Sequence, residues 1–184
     1  MEMNKDIEKI SITEEEIDSC CAKLAKVFSK DYAGKSPIFV GLLKGSVPFM
    51  ANLIKYLEID DMEIDFMDVS SYAGTTSTNN VRILKDLDAD IGGKDVIIVE
   101  DIVDSGLTVK VITSLLKQWG ANSVEVCSLL NKQSRRTVDV TPKYVGFEVE
   151  NEFFVGYGLD YNEKSRQLPY IGVLKREVYM QEVE

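Results

Sequence analysis

The stretch VIIVEDIVDSGLTVK, Val96 to Lys110, decides how this chain folds. Its first four residues, Val96, Ile97, Ile98 and Val99, are apolar and β-branched, the pattern of a strand buried on both faces. Two acids, Glu100 and Asp101, follow at once, then Asp104 and the small residues Ser105 and Gly106. An apolar pattern at helical spacing begins after Thr108. Acids at the end of a buried strand stand at the carboxyl edge of a parallel sheet, where open α/β sheets bind ligands. Small residues just ahead of a helix start let several backbone N–H groups converge on one point, a site for a phosphate.

Outward from this stretch the same unit recurs. Pro37 to Leu43 (PIFVGLL) reads as a strand and Lys44-Gly45-Ser46 as its loop. Met50, Leu53, Ile54 and Leu57 then mark a helix with Pro48 in its first turn. Val124 to Leu130 reads as the next parallel strand, ending at Asn131-Lys132, and Tyr144 to Val149 as another. Ile112, Leu115, Leu116 and Trp119 mark the helix before Val124, closed by Gly120 as its C-cap. Near the N-terminus Thr13 and Glu16 spell a capping box, and Ile12 with Ile17 a hydrophobic staple, for a helix running to about Tyr32. Met62 to Val69 alternates as a strand and Val81 to Leu84 returns. Between them lies SSYAGTTSTNN, Ser70 to Asn80, a loop or a lid over a site that must exclude water. Asp86 to Asp90 reads as a solvated acidic turn. Strands alternating with helices predict an α/β fold, a parallel sheet with right-handed crossovers. With no repeat, linker or low-complexity segment, one domain over residues 1–184 is expected.

Composition narrows the function classes. A chain of 184 residues can bury a sizeable core, and 45% hydrophobic with 28% charged residues is ordinary for a globular protein. A net charge of −10, with no basic cluster beyond Arg135-Arg136, argues against nucleic acid as a partner. No apolar run reaches the length of a membrane span, and MEMNKDIEKI has no signal-peptide core. Cys20, Cys21 and Cys127, an odd set without metal spacing, suit a reducing cytoplasm. The absence of histidine removes Ser-His-Asp triads and His-containing metal sites. Neither a G-x-G-x-x-G nor a G-x-x-x-x-G-K-[ST] motif occurs, which disfavours dehydrogenases and P-loop kinases.

The order apolar strand, acid pair, acid, small loop and helix resembles the phosphoribosyl pyrophosphate (PRPP) signature of type I phosphoribosyltransferases. Four stretches narrow the resemblance to the 6-oxopurine members: LLKGS (Leu42 to Ser46), SSYAGTTS (Ser70 to Ser77), VEDIVDSGLT (Val99 to Thr108), and LNK (Leu130 to Lys132) followed by FFVGYGLDYNEKSR (Phe153 to Arg166). The implied fold is a central, mostly parallel twisted sheet flanked by helices, with a small hood and a mobile lid loop. The implied reaction is purine salvage. N9 of hypoxanthine or guanine displaces pyrophosphate from C1 of PRPP through an oxocarbenium-like transition state, giving IMP or GMP.

The resemblance also implies roles. Asp104 would be the proton partner at purine N7, strengthened as a base by a closed, poorly hydrated site. Asp104, Ser105, Gly106, Leu107 and Thr108 would hold the 5′-phosphate. Glu100 and Asp101 would bind the ribose hydroxyls, directly or through metal-bound water. Lys44 and Gly45, with a cis peptide before the lysine, would hold pyrophosphate with help from Arg166. Mg²⁺ would be shared among Glu100, Asp101 and Asp160, with substrate oxygens and water completing its shell. Lys132 would donate to the 6-oxo group, Phe153 would stack on the base, and Phe154 and Asp160 would face its 2-position. Ser71 and Tyr72 would belong to the lid. Taken singly, Phe153 and Phe154 also fit packing, Lys132 a solvated surface and Asp160 an Asx turn. A homodimer or homotetramer in the cytoplasm is implied. The rival readings are a xanthine- or guanine-preferring enzyme of the same group, and a PRPP-sensing regulatory protein of the same fold.

Overall fold

The run Val96–Val99 lies in the middle of a nine-residue strand that takes in the acid pair and continues to Val103. The computed structural model describes residues 4–71 and 81–180. Along them run β1 (Ile7–Ile12), α1 (Glu14–Asp31), β2 (Ile38–Leu43), α2 (Val47–Ile54), β3 (Glu63–Ser71), β4 (Val81–Lys85) and β5 (Asp95–Val103). Then come α3 (Leu107–Gln118), β6 (Ser123–Asn131), a 3-10 turn (Gln133–Arg135), β7 (Tyr144–Glu148), β8 (Phe154–Val155), β9 (Ile171–Leu174) and α4 (Arg176–Met180).

Six strands form the main sheet in the order β4-β3-β2-β5-β6-β7, and every pairing is parallel except β3 with β4. The β-branched centre of β5 serves both faces. Ile97 and Val99 pack with Phe39, Cys127 and Leu129 against α1 and α2. Val96 and Ile98 pack with Ile38, Val40, Leu42, Val124 and Val126 against α3. Alternation within continuous apolar runs thus fills two cores from one sheet. The order of the sheet reverses between β2 and β5, which is where such sheets bind ligands. Pairing of β5 with β2 ends at Val99, while pairing with β6 continues to Val103 and Asn131. Glu100 and Asp101 therefore lie beyond the last residue pair with β2, and the β2 side of the strand is open there.

Helix α1 keeps the expected capping box: the Thr13 hydroxyl accepts from the Glu16 amide at 3.2 Å, and the Glu16 carboxylate accepts from the Thr13 amide at 2.8 Å. Helix α2 stops at Ile54, short of the expected Leu57. Gly120 follows α3 at φ +94°, in the left-handed conformation of a C-terminal glycine. Trp119 belongs to no core; it is 37% exposed. Strand β3 runs two residues beyond Val69, to Ser71.

A second, three-stranded sheet, β1-β9-β8, stands apart from the main one and is antiparallel throughout. It corresponds to the expected hood, but β1 and β9 carry no strand signal in the sequence reading. Ile7, Val155, Tyr170 and Leu174 form its small core. Of the lid residues, Ser71 ends β3, and Tyr72 lies outside the described residues. Among the described residues no helix is long and apolar enough to cross a membrane.

Candidate active site

The carboxyl ends of β5 and β6, with the β8 side of the hood, converge on one cavity of about 600 Å³. Its wall includes Asp101, Ile102, Asp104, Lys132, Arg135, Phe153, Phe154 and Asp160. Five of the residues expected at a purine or ribose site therefore share it with Asp104: Asp101, Lys132, Phe153, Phe154 and Asp160.

Lys132 follows the last residue of β6, and its amide donates to the Val103 carbonyl at 3.0 Å, which docks it beside the end of β5. Its side chain is buried, the ammonium lying 3.3 Å from Asp104 Oδ2 and 3.1 Å from the Glu152 carbonyl. It also sits 5.7 Å from the centre of the Phe154 ring, within cation–π range. The solvated alternative for Lys132 is thus removed. Asp104 is placed differently from the expectation of a poorly hydrated base. Its side chain is 39% exposed and lies between two cations, with Arg135 Nε 3.3 Å from Oδ1. Sequence reasoning assigned Arg135 no part in the site.

Glu100 and Asp101 crowd one another. Burial chiefly, then the charge of Asp101, holds the Glu100 carboxyl well above the usual carboxylate range. Asp101 is also raised by burial, opposed by the Ile102 amide and the Arg166 charge. Gly45 has no side chain because Asp101 occupies the space: a Cβ there would overlap its carboxylate. Gly158, at φ +97°, has its Cα packed on the Gly45 carbonyl. The loop after β2, the hood turn and the acid pair thereby meet. The Leu43–Lys44 peptide is cis.

Lys44 and Arg166 are brought together by a residue that had no assigned role. Glu163 Oε2 lies 3.0 Å from Lys44 Nζ and 3.4 Å from Arg166 Nη2. The hydrogen bond from Lys44, then the charge of Arg166, lowers the Glu163 carboxyl. Arg166 also pairs with Asp160 at 2.8 Å and donates to the Gly158 carbonyl at 2.6 Å. Its buried Nε has no hydrogen-bond partner among the described residues. Asp160 Oδ2 accepts from the Glu163 amide at 2.8 Å, three residues on, so Asp160 ties its own loop, one residue wider than an Asx turn.

The three carboxylates expected to share a cation do not gather into one cluster. Among the described residues no group of three or more His, Cys, Asp or Glu is placed to hold a metal ion. The adjacent acids still fit a hard divalent cation, because loss of solvent opposes charging both and the charge of Asp101 further opposes charging Glu100. The fit is to a cation that brings most of its shell as substrate oxygens and water.

Phe153 has its ring stacked on Tyr179 of α4, centroids 5.0 Å apart and planes 22° apart, and edge-on to Tyr161 at 5.6 Å. Tyr179 and Ile102 also line the cavity, and neither was singled out from sequence. Ile102 had a signal, its place between the acid pair and Asp104. Tyr179 had none. Gly106 caps α3 in the left-handed conformation, φ +83°, and Ser105 Oγ accepts weakly from the Leu107 amide at 3.4 Å. The amides of Ser105, Gly106, Leu107 and Thr108 thus stand at the start of α3, where a helix favours an anion.

Residues 7–162 match the phosphoribosyl transferase domain family. The chain is 51% identical over 178 residues to a hypoxanthine-guanine phosphoribosyltransferase of Staphylococcus epidermidis, covering 96% of this chain and 99% of that one. Among solved structures it is similar to a hypoxanthine phosphoribosyltransferase of Staphylococcus aureus, with TM-score 0.92, 51% identity, and coverage of 97% of this chain and 99% of the other. It is similar also to a Trypanosoma cruzi hypoxanthine phosphoribosyl transferase, with TM-score 0.92, 35% identity, and 98% of each chain covered.

Proposed function

The chain belongs to the phosphoribosyltransferase family, and from that premise we propose that it transfers the 5-phosphoribosyl group of PRPP to N9 of hypoxanthine, and of guanine. The products are IMP or GMP and pyrophosphate. One observation carries the choice of base: Lys132 Nζ and Asp104 Oδ2 stand 3.3 Å apart on the wall of one cavity. O6 and N7 are neighbours on a 6-oxopurine. A buried ammonium donating to O6 and a carboxylate at N7 match them side by side. Adenine would place an amino group against the ammonium and leave two donors facing each other, a costly mismatch in a buried site.

Each residue then has a task. Asp104 holds or takes the proton at N7 as N9 attacks, and Lys132 and Arg135 keep its carboxylate aimed into the cavity. Phe153, held by Tyr179, stacks on the base, with Ile102 on the wall opposite the hood. Phe154 and Asp160 bound the 2-position. The amides and hydroxyls from Ser105 to Thr108 bind the 5′-phosphate. Lys44, Gly45 and Arg166 receive pyrophosphate, and Glu163 must release Lys44 and Arg166 for that to happen. Glu100 and Asp101 bind the ribose hydroxyls and would hold Mg²⁺, with water and substrate oxygens completing its shell. When bound, the ion neutralises charge on the leaving group. The chain is expected to assemble as a homodimer or homotetramer, which sedimentation velocity reads directly.

The test is a spectrophotometric assay with PRPP and Mg²⁺, offering hypoxanthine, guanine, xanthine and adenine in turn. Turnover of hypoxanthine or guanine, lost on adding EDTA, is expected. Turnover of xanthine or adenine in preference to both would overturn the assignment of the base. PRPP binding without turnover of any base would leave the regulatory reading in its place.

A further inference from the structure

Three consecutive carbonyls of the loop that enters α3 are held from behind by one strap of chain. The Val103 carbonyl accepts from the Lys132 amide at 3.0 Å and from Arg136 Nη2 at 3.3 Å. The Asp104 carbonyl accepts from Arg136 Nε at 3.2 Å. The Ser105 carbonyl accepts from the Thr137 amide at 3.1 Å and the Thr137 hydroxyl at 3.3 Å.

In a planar trans peptide the C=O and the following N–H point in opposite directions. Drawing these three carbonyls to the strap therefore turns the amides of Asp104, Ser105 and Gly106 the other way. Successive amides aimed at one point are an anion cradle. Gly106 belongs to the same fit. A Cβ there would come within 2.8 Å of Arg136 Cδ, so the strap lies directly against its bare Cα.

Arg136 is itself held. Its Nη1 donates to the Val140 carbonyl and its Nη2 to Asn131 Oδ1. Asn131 Nδ2 in turn donates to both oxygens of Glu148, at 3.0 and 2.9 Å. The guanidinium is thus spread over four acceptors from three segments, a geometry a lysine ammonium cannot copy. Its neighbour Arg135 points the opposite way, to the Asp104 carboxylate.

We propose that Arg136, with Thr137, is the positioning residue of the 5′-phosphate site: it touches no substrate, and it fixes the loop so that its amides face the phosphate. This rests on the reading of residues 104–108 as the phosphate cradle given above. The experiment compares IMP with inosine, which differ only by the 5′-phosphate, by titration calorimetry or competition. In the unaltered protein IMP should bind much more tightly than inosine. Equal affinities there would refute the cradle reading itself, whatever Arg136 does.

In Arg136→Lys the IMP/inosine affinity ratio should fall about tenfold, with inosine affinity and far-UV circular dichroism unchanged. KM for PRPP should rise in parallel while kcat changes less. Thr137→Val, which removes only a hydroxyl, should lower the ratio by about twofold. It stands as the test if the arginine variant does not fold. An unchanged ratio in the folded variants, or equal weakening of IMP and inosine, overturns the proposal.

Discussion

Asp104 and Lys132 form the pair on which the proposed chemistry turns. Lys132 is buried and Asp104 is two-fifths exposed, 39% for its side chain. Pairing lowers the cost of burying the ammonium, and breaking such a pair by removing one partner leaves the other uncompensated. Asp104→Asn keeps the shape and loses the proton acceptor. The chemical step should slow by about a hundredfold or more, read as a single-turnover rate, with PRPP affinity nearly kept because the phosphate loop binds through its backbone. A near-normal single-turnover rate would remove Asp104 from that role. Lys132→Ala should act on selectivity. The ratio of kcat/KM for hypoxanthine over adenine should fall at least about tenfold, because the buried donor that rejects an amino group is gone. Unchanged discrimination against adenine would exclude Lys132 as the reader of the 6-position.

Among the elements, β3 shows how a buried acid can organise a turn. Asp65 lies in β3 and is 8% exposed. Its carboxylate accepts from the amides of Phe66 at 2.7 Å, Asp88 at 2.7 Å and Ala89 at 2.9 Å, and Lys85 Nζ is 3.7 Å away. Burial would raise this carboxyl, but the amides of Ala89, Phe66 and Asp88, with Lys85, outweigh it and hold it low. The acidic turn Asp86 to Asp90 is therefore anchored by an acid of the neighbouring strand. A carboxyl with a lowered folded value adds stability above its unfolded value, near pH 4, and loses it as pH falls further. Asp65→Asn should cost about 1–3 kcal/mol in urea unfolding at pH 7. The gap from the unaltered protein should narrow below about pH 4. A gap independent of pH would mean that charge plays no part.

Across the whole molecule, the site exists because the hood is packed on the end of the main sheet. Glu163, on the hood side, bridges Lys44 after β2 and Arg166. One carboxylate is thereby shared by the two cations proposed to receive pyrophosphate. Glu163→Gln should free them, so product inhibition by pyrophosphate should tighten by about 1.5- to 5-fold, the range set by solvent-exposed ion pairs. The difference should shrink at high salt, since these side chains are screened by water and ions. Unchanged inhibition constants at low salt would show that the bridge does not compete with pyrophosphate.

How much of this was legible in the sequence divides by range along the chain. Contacts within a few residues were written locally: the capping box of Thr13 and Glu16, the β-branched run Val96–Val99, and the acids and small loop before α3. These depend on backbone periodicity and neighbouring side chains, which a sequence displays directly. What tertiary structure alone decided joins distant segments. Strand β1 pairs with β9, so that Ile7 faces Leu174, and β8 is only two residues long. So short a strand has no stability or pattern of its own and exists only through its partner. Arg136 on the back of the phosphate loop, Arg135 on Asp104, Glu163 between Lys44 and Arg166, and Tyr179 against Phe153 are side-chain meetings across loops and sheets. An isolated arginine or tyrosine in the chain carries no mark of which carbonyl or ring it will reach, because its partner is chosen by folding rather than by spacing.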